Sequence, residues 1–195
     1  MQAEILKSFL GEKLEGPLLL SPTIFRDERG FFFESWNQLQ WKEILRSVSQ
    51  EFDGFVQDNH SRSEKGVLRG LHYQIQPKAQ GKLVRCISGE IYDVAVDLRL
   101  NSDTYLQSVG VHLSSENQRQ FWLPVGFAHG FLTLSDYADV LYKTTDFWSK
   151  DCERSINWND PQLAITWDQF GCKPLLSDKD SVAPFLQEIN ESELF

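Results

Sequence analysis

The chain has 195 residues, a length at which one domain buries a sizeable core, so a single domain over residues 1–195 is expected. Hydrophobic residues make up 41% and charged residues 24%, with six Trp, fourteen Phe and five Tyr, which excludes a disordered chain. A formal net charge of −9 argues against nucleic acid as the main partner, because that binding rests on clustered Lys and Arg; an anionic ligand needs a local basic pocket.

Near the amino terminus the apolar run Leu18-Leu19-Leu20 is too short for a secretory leader, and no stretch reaches the length of a membrane span. Cys86, Cys152 and Cys172 are an odd set without Cys-x-x-Cys spacing, so neither a disulfide framework nor a zinc knuckle is expected. Together these predict a cytoplasmic protein with no membrane partner.

In chain order, Trp41, Ile44, Leu45 and Val48 recur at helical spacing behind Asn37, which predicts an N-capped helix over 38–48. Runs rich in Val, Ile, Leu and aromatics follow at 66–74, 82–99, 109–113, 121–134 and 140–146, broken by Gly, Ser and Asn, the pattern of an antiparallel sandwich or barrel. Within 91–99, Tyr92, Val94, Val96 and Leu98 share one face, expected to be core. Asp93, Asp97 and Arg99 share the other, expected to be wet. Ser88-Gly89 predicts a tight hairpin that pairs the flanking runs. Beyond Trp158, Asn159-Asp160-Pro161, Gly171 and Pro174 mark a packed tail with turns.

Among residues able to carry chemistry, His72 sits in Arg69-Gly70-Leu71-His72-Tyr73-Gln74, where an imidazole is either a hydrogen-bonded core residue or a general base titrating near neutrality. His129 lies between Gly126 and Gly130, which permit close backbone approach to a ligand; a loop-holding role fits it as well. His60 and His112 read as surface residues. Lys82 opens a strand beside Gly81, placed either in solvent or where an ammonium stabilises an oxyanion. Tyr142, in phase with Val140, is either packing or a phenol that donates a proton. No His-x-His or His-x-x-x-His pair suggests a metal, so no metal or other cofactor is expected. Glycine-rich phosphate loops are missing too, leaving Arg and Lys to hold any phosphate. Strict alternation puts Arg69 and His72 on opposite faces of one strand, unless Gly70 marks a bulge.

Seven segments in order then resemble the dTDP-4-dehydrorhamnose 3,5-epimerase family: 27–34 (DERGFFFE), 56–61 (VQDNHS), 67–74 (VLRGLHYQ), 80–85 (QGKLVR), 126–131 (GFAHGF), 158–161 (WNDP) and 176–180 (LSDKD). The resemblance covers roughly residues 20–187. It implies an all-β, cupin-type jelly-roll barrel with short peripheral helices and a C-terminal tail, a dTDP-sugar substrate and a homodimer. It further implies His72 as base, Asp180 as its partner, Lys82 on the enolate oxygen and Tyr142 as proton donor. The binding residues it implies are Arg29, Glu34, Gln57, Asn59, Arg69, His129, Glu153 and Lys179, with Phe147 and Trp148 at the thymine, where the family commonly has a tyrosine. Competing readings are an epimerase acting at C3 or C5 alone, a non-catalytic sugar-nucleotide cupin and a cupin oxygenase. Tyr142 favours the double epimerase, and the missing His-x-His disfavours the oxygenase.

Overall fold

A computed structural model describes residues 1–167 and 173–195; Gly171 and Cys172 lie outside the described residues. The strands in chain order are β1 (Gln2–Lys7), β2 (Lys13–Ser21), β3 (Phe25–Asp27), β4 (Gly30–Phe32), β5 (Gln57–Glu64), β6 (Leu68–Gln74), β7 (Lys82–Ser88), β8 (Glu90–Asp97), β9 (Ser108–Ser114), β10 (Gln120–Leu123), β11 (Phe127–Thr133), β12 (Tyr137–Thr144) and β13 (Glu153–Ser155). Helix α1 (Gln38–Ser47) follows β4, and the one-turn α2 (Asp178–Ser181) lies in the tail. A six-stranded sheet, ordered β1-β2-β10-β7-β12-β5, faces a five-stranded sheet, ordered β13-β6-β11-β8-β9. This is the jelly roll of the cupin type, with β3 and β4 as a separate hairpin.

Period-2 alternation sends one phase of each strand into the barrel. Val84, Cys86, Phe121, Leu123, Ala138 and Val140 from the larger sheet meet Ile91, Ala95, Val109, Val111, Leu113, Phe127 and Phe131 from the smaller one. The outer face of the larger sheet is covered by α1, whose Trp41 and Leu45 pack with Leu18, Leu20, Leu83 and Trp122, joined by Trp36, Phe52 and Phe55. Helix α1 forms where its spacing predicts, and the Asn37 side chain caps it by accepting from the Leu39 and Gln40 N–H groups. Among the described residues, no helix is long and apolar enough to cross a membrane.

Three expectations are corrected. The Asp93 and Asp97 face of β8 is not wet, since both carboxylates are 0% exposed. They share the inward phase with Ile91 and Ala95, while Tyr92, Val94, Val96 and Leu98 are covered from outside by Ile156, Leu163 and Leu186 of the tail region. Both faces are therefore core. Secondly, β7 and β8 do not pair. Each has both edges taken by other strands, β10 and β12 for β7, and β11 and β9 for β8. Ser88-Gly89 instead carries the chain from one sheet to the other, with Gly89 at φ +74° and so close to Tyr137 that a Cβ would lie 2.1 Å from its carbonyl oxygen. Thirdly, the run 121–134 is two strands, β10 and β11, separated by the turn around Pro124 and Gly126.

Candidate active site

Toward one end of the barrel the inward phase turns polar. Lys82 continues the phase of Val84 and Cys86 on β7, and Tyr142 follows Val140 on β12. On the facing sheet Asp93 lies between Ile91 and Ala95, and His129 between Phe127 and Phe131. Strand β6 joins them through a bulge. Its pairing steps from Phe131↔Arg69 to His129↔His72, two residues on β11 against three on β6, so the phase resets between Arg69 and His72. Leu71 and Tyr73 pack outward. Arg69 reaches across to the other sheet, where its Nε donates to Ser63 Oγ at 2.9 Å. Gly70, at φ +134°, permits this: a Cβ there would sit 2.5 Å from Gly130 Cα, a clash with backbone that cannot yield.

His72 Nε2 lies 2.5 Å from Asp180 Oδ1. The imidazole is 27% exposed and the carboxylate 3%, so the ring is open to solvent while its partner is not. Asp180 belongs to α2, where its N–H donates to Ser177 Oγ at 3.1 Å. Burial pushes this carboxyl up, but the hydrogen bond and charge of His72, the bond to Ser177 and the charge of Lys179 outweigh it and hold the group below its ordinary value. An ionised carboxylate only accepts, so Nε2 carries the proton of this bond and Nδ1 is the basic atom of the ring.

Lys82 Nζ donates to the His72 carbonyl at 3.2 Å. Burial drives its ammonium down to about 8, against the charges of Asp93 and Glu153 and together with that of Lys179. Burial also raises the Tyr142 phenol, with Arg69 opposing and Glu153 reinforcing, so it stays protonated. His129 Nε2 lies 2.6 Å from Asp93 Oδ1. Desolvation lowers this histidine despite Asp93, with the charges of Lys82 and His72 adding to the effect. Among the described residues, no group of three or more His, Cys, Asp or Glu could hold a metal ion.

A sequence model described as dTDP-4-dehydrorhamnose 3,5-epimerase matches residues 12–188. The dTDP-4-dehydrorhamnose 3,5-epimerase of Pseudomonas aeruginosa is 60% identical over 164 residues, 84% of this chain and 87% of that protein. The enzyme of that name from Salmonella typhimurium is 56% identical over 172 residues, 88% of this chain and 91% of that one. The chain belongs to the dTDP-4-dehydrorhamnose 3,5-epimerase family. In structure it is similar to the dTDP-6-deoxy-D-glucose-3,5-epimerase of Legionella pneumophila, solved in complex with dTDP-4-keto-L-rhamnose, with a TM-score of 0.88 and 50% identity over 99% of this chain and 97% of that one.

In this epimerase-family chain, Gln57 binds both Asn59 Oδ1, through Nε2 at 3.0 Å, and the Trp148 N–H, through Oε1 at 3.0 Å. Glu153 pairs with Lys179 at 2.7 Å. Burial raises the Glu153 carboxyl, but Lys179, Trp148 and His72 together hold it below its ordinary value. Phe147 and Trp148 stand exposed beside this group, at 57% and 55%. Two expected binding residues are tied elsewhere within the chain. Arg29, on the β3–β4 hairpin, pairs with Asp27 and is 89% exposed, and Glu34 accepts from Asn37 and Gln40 at the start of α1. His60 and His112 are half-exposed at 54% and 48%, paired with Asp139 and Glu90. Asp93 is the residue that sequence reasoning missed. The signal was present in Ile91 and Ala95, which share its phase and mark that face as interior.

Proposed function

We propose that this chain converts dTDP-4-dehydro-6-deoxy-D-glucose to dTDP-4-dehydro-L-rhamnose by epimerising C3 and C5, without a cofactor, as one domain acting in the cytoplasm. The observation that carries the reading is the His72–Asp180 pair at 2.5 Å, with Lys82 and Tyr142 in the inward phase of the opposite sheet. The C4 ketone acidifies the hydrogens on C3 and C5. His72 takes each proton in turn, the C–H electron pair moves onto the C4 oxygen, and the Lys82 ammonium stabilises the resulting enolate. Asp180 holds the ring tautomer and offsets the imidazolium charge. Tyr142 returns a proton from the face opposite His72; a base and a donor on facing sheets suit inversion.

In this reading Arg69 and Arg29 hold the diphosphate, Phe147 and Trp148 stack on the thymine, and Gln57, Asn59, Glu34, His129, Glu153 and Lys179 orient the rest. The working form is a homodimer. The β3–β4 hairpin supports this, since it carries Arg29 beside the exposed Phe25, Phe31 and Phe32, an apolar surface suited to a second copy. Buried free thiols at Cys86 and Cys152 fit a reducing compartment.

Proton NMR of the dTDP-4-dehydro sugar incubated with the protein in heavy water tests this, beside a His72→Ala control. Washout at both C3 and C5 that vanishes in the variant is expected. Washout at one carbon selects a mono-epimerase, and a folded protein that binds the sugar without exchange overturns the catalytic reading.

A further inference from the structure

Asp93 and Asp97 lie four residues apart on the same inward face of β8, both fully buried, yet the fold treats them differently. Asp97 is saturated: its oxygens accept from Arg99 Nε and Nη2, Ser102 Oγ and Thr104 Oγ1. Among the described residues, Asp93 has one side-chain bond, from His129 Nε2 at 2.6 Å to Oδ1, while Oδ2 is buried with no partner there. A buried ion pair is weak support for a fold, and an unsatisfied carboxylate oxygen is a cost. Asp93 sits beside the polar end of the barrel, where that charge has a use.

We propose that Asp93 is a positioning residue of this site: it fixes the proton of His129 on Nε2, leaving Nδ1 as an acceptor for a sugar hydroxyl, and supplies the counter-charge that holds the Lys82 ammonium inside the barrel. The inference rests on the epimerase reading and sharpens the role of His129 within it. A carboxylate has no proton to give, so the hydrogen of the 2.6 Å bond belongs to the ring. Burial keeps that ring neutral, and the remaining nitrogen then carries a lone pair. A lone pair repels a phosphate oxygen and accepts from an O–H, which directs His129 to the sugar and away from the diphosphate.

The charged groups acting on Lys82 are Asp93 on β8, Glu153 on β13 and Lys179 on α2, with the His72 carbonyl of β6 bonded to Nζ, while Lys82 in turn acts on His129 of β11 and Tyr142 shares its inward phase on β12. Two of these are anions, and Asp93 is the stronger in its effect on Lys82. Removing it leaves a buried ammonium facing Lys179 with Glu153 as its remaining counter-charge.

The test uses full-length protein labelled with ¹⁵N-histidine. In the wild type at neutral pH the His129 shifts should be those of a neutral ring protonated on Nε2, a result that does not depend on substrate. In Asp93→Asn that single tautomer is lost and KM rises about 3- to 10-fold as the His129 contact to the sugar weakens, kcat falls about tenfold as Lys82 loses a counter-charge, and the alkaline limb of kcat moves about one pH unit lower. A wild-type His129 protonated on Nδ1, or an Asp93→Asn enzyme whose alkaline limb stays in place, overturns the proposal. If the variant does not fold, the wild-type tautomer still decides. A wild type that leaves the dTDP-4-dehydro sugar unexchanged sinks the epimerase reading, separately from the tautomer result.

Discussion

Among the described residues, the polar end of the barrel interior holds two histidine–aspartate pairs side by side, with His72 and His129 opposite each other in the β6–β11 register. In the His129–Asp93 pair both residues come from neighbouring strands of one sheet, 36 residues apart in sequence, with side chains 8% and 0% exposed. In the His72–Asp180 pair a strand residue is matched with one from a single helical turn in the tail, 108 residues later, and the imidazole is 27% exposed. The chemistry is the same and the access is not. A base must meet its substrate and exchange its proton afterwards, which the half-open ring can do; the closed ring is suited to holding one tautomer for a long time. Exposure, more than residue type, separates the roles.

Replacing His72, the proposed base, should break this contrast most sharply. His72→Asn is expected to lower kcat about 10³-fold or more, within the range that general acid–base catalysis supplies, and to lower the melting temperature as well, because the buried Asp180 carboxylate loses its main partner. The corresponding His129→Asn should act more on KM. Equal losses of kcat in steady-state assays of the two variants would erase the division of labour drawn above.

Asp180→Asn comes next, with kcat lower by about 100-fold, since the tautomer and the imidazolium lose their partner. This variant also has an equilibrium signature. The folded Asp180 carboxyl lies below its unfolded value of 3.8, so in the wild type its stabilisation is present above that pH and is lost as pH falls through the lower, folded value. Urea melts between pH 5 and pH 2 should therefore show a steeper acid loss in the wild type than in Asp180→Asn. Parallel curves would mean that the pair contributes nothing to the fold.

Lys82 gives a smaller, pH-dependent effect. With its ammonium brought down to about 8, the cation proposed to stabilise the enolate is lost as pH rises through that value, and kcat should fall on the alkaline side. An arginine remains charged throughout. Lys82→Arg is expected to cost about tenfold at neutral pH through poorer geometry and to remove the alkaline limb. A limb that persists in the variant would belong to another group.

How far such roles were legible in the chain depends on how local their cause is. The α1 helix follows from Asn37 and four apolar residues within two turns, and Lys82 was readable as a strand opening beside a glycine. The motif around His72 was readable only as far as the bulge, which is fixed by Gly130 on another strand. Asp93 was misassigned because a wet face is inferred from charge, while the cover over the opposite face comes from Ile156, Leu163 and Leu186, far away in sequence. The expected pairing of β7 with β8 failed for a related reason: a two-residue link suggests a hairpin, but a jelly roll uses such links to change sheets. Strand β5, Gln-Asp-Asn-His-Ser-Arg-Ser-Glu, carried no strand signal at all, since its exposed phase is charged and its less exposed phase, Gln57, Asn59, Ser61 and Ser63, is polar as well.

The smallest effect is expected at the rim. Trp148 is 55% exposed and held by its backbone N–H on Gln57 Oε1, so truncating its side chain leaves both histidine pairs intact. Stacking on a base is worth about 1–3 kcal/mol and is felt equally by bound substrate and transition state. Trp148→Ala should therefore raise KM about 5- to 100-fold and leave kcat within about twofold, whereas Trp148→Tyr, which keeps a π-face, should recover most of the affinity. A fall in kcat would connect the rim to the dyad. The route available is Glu153, which is influenced by both Trp148 and His72 and pairs with Lys179, the residue next to Asp180.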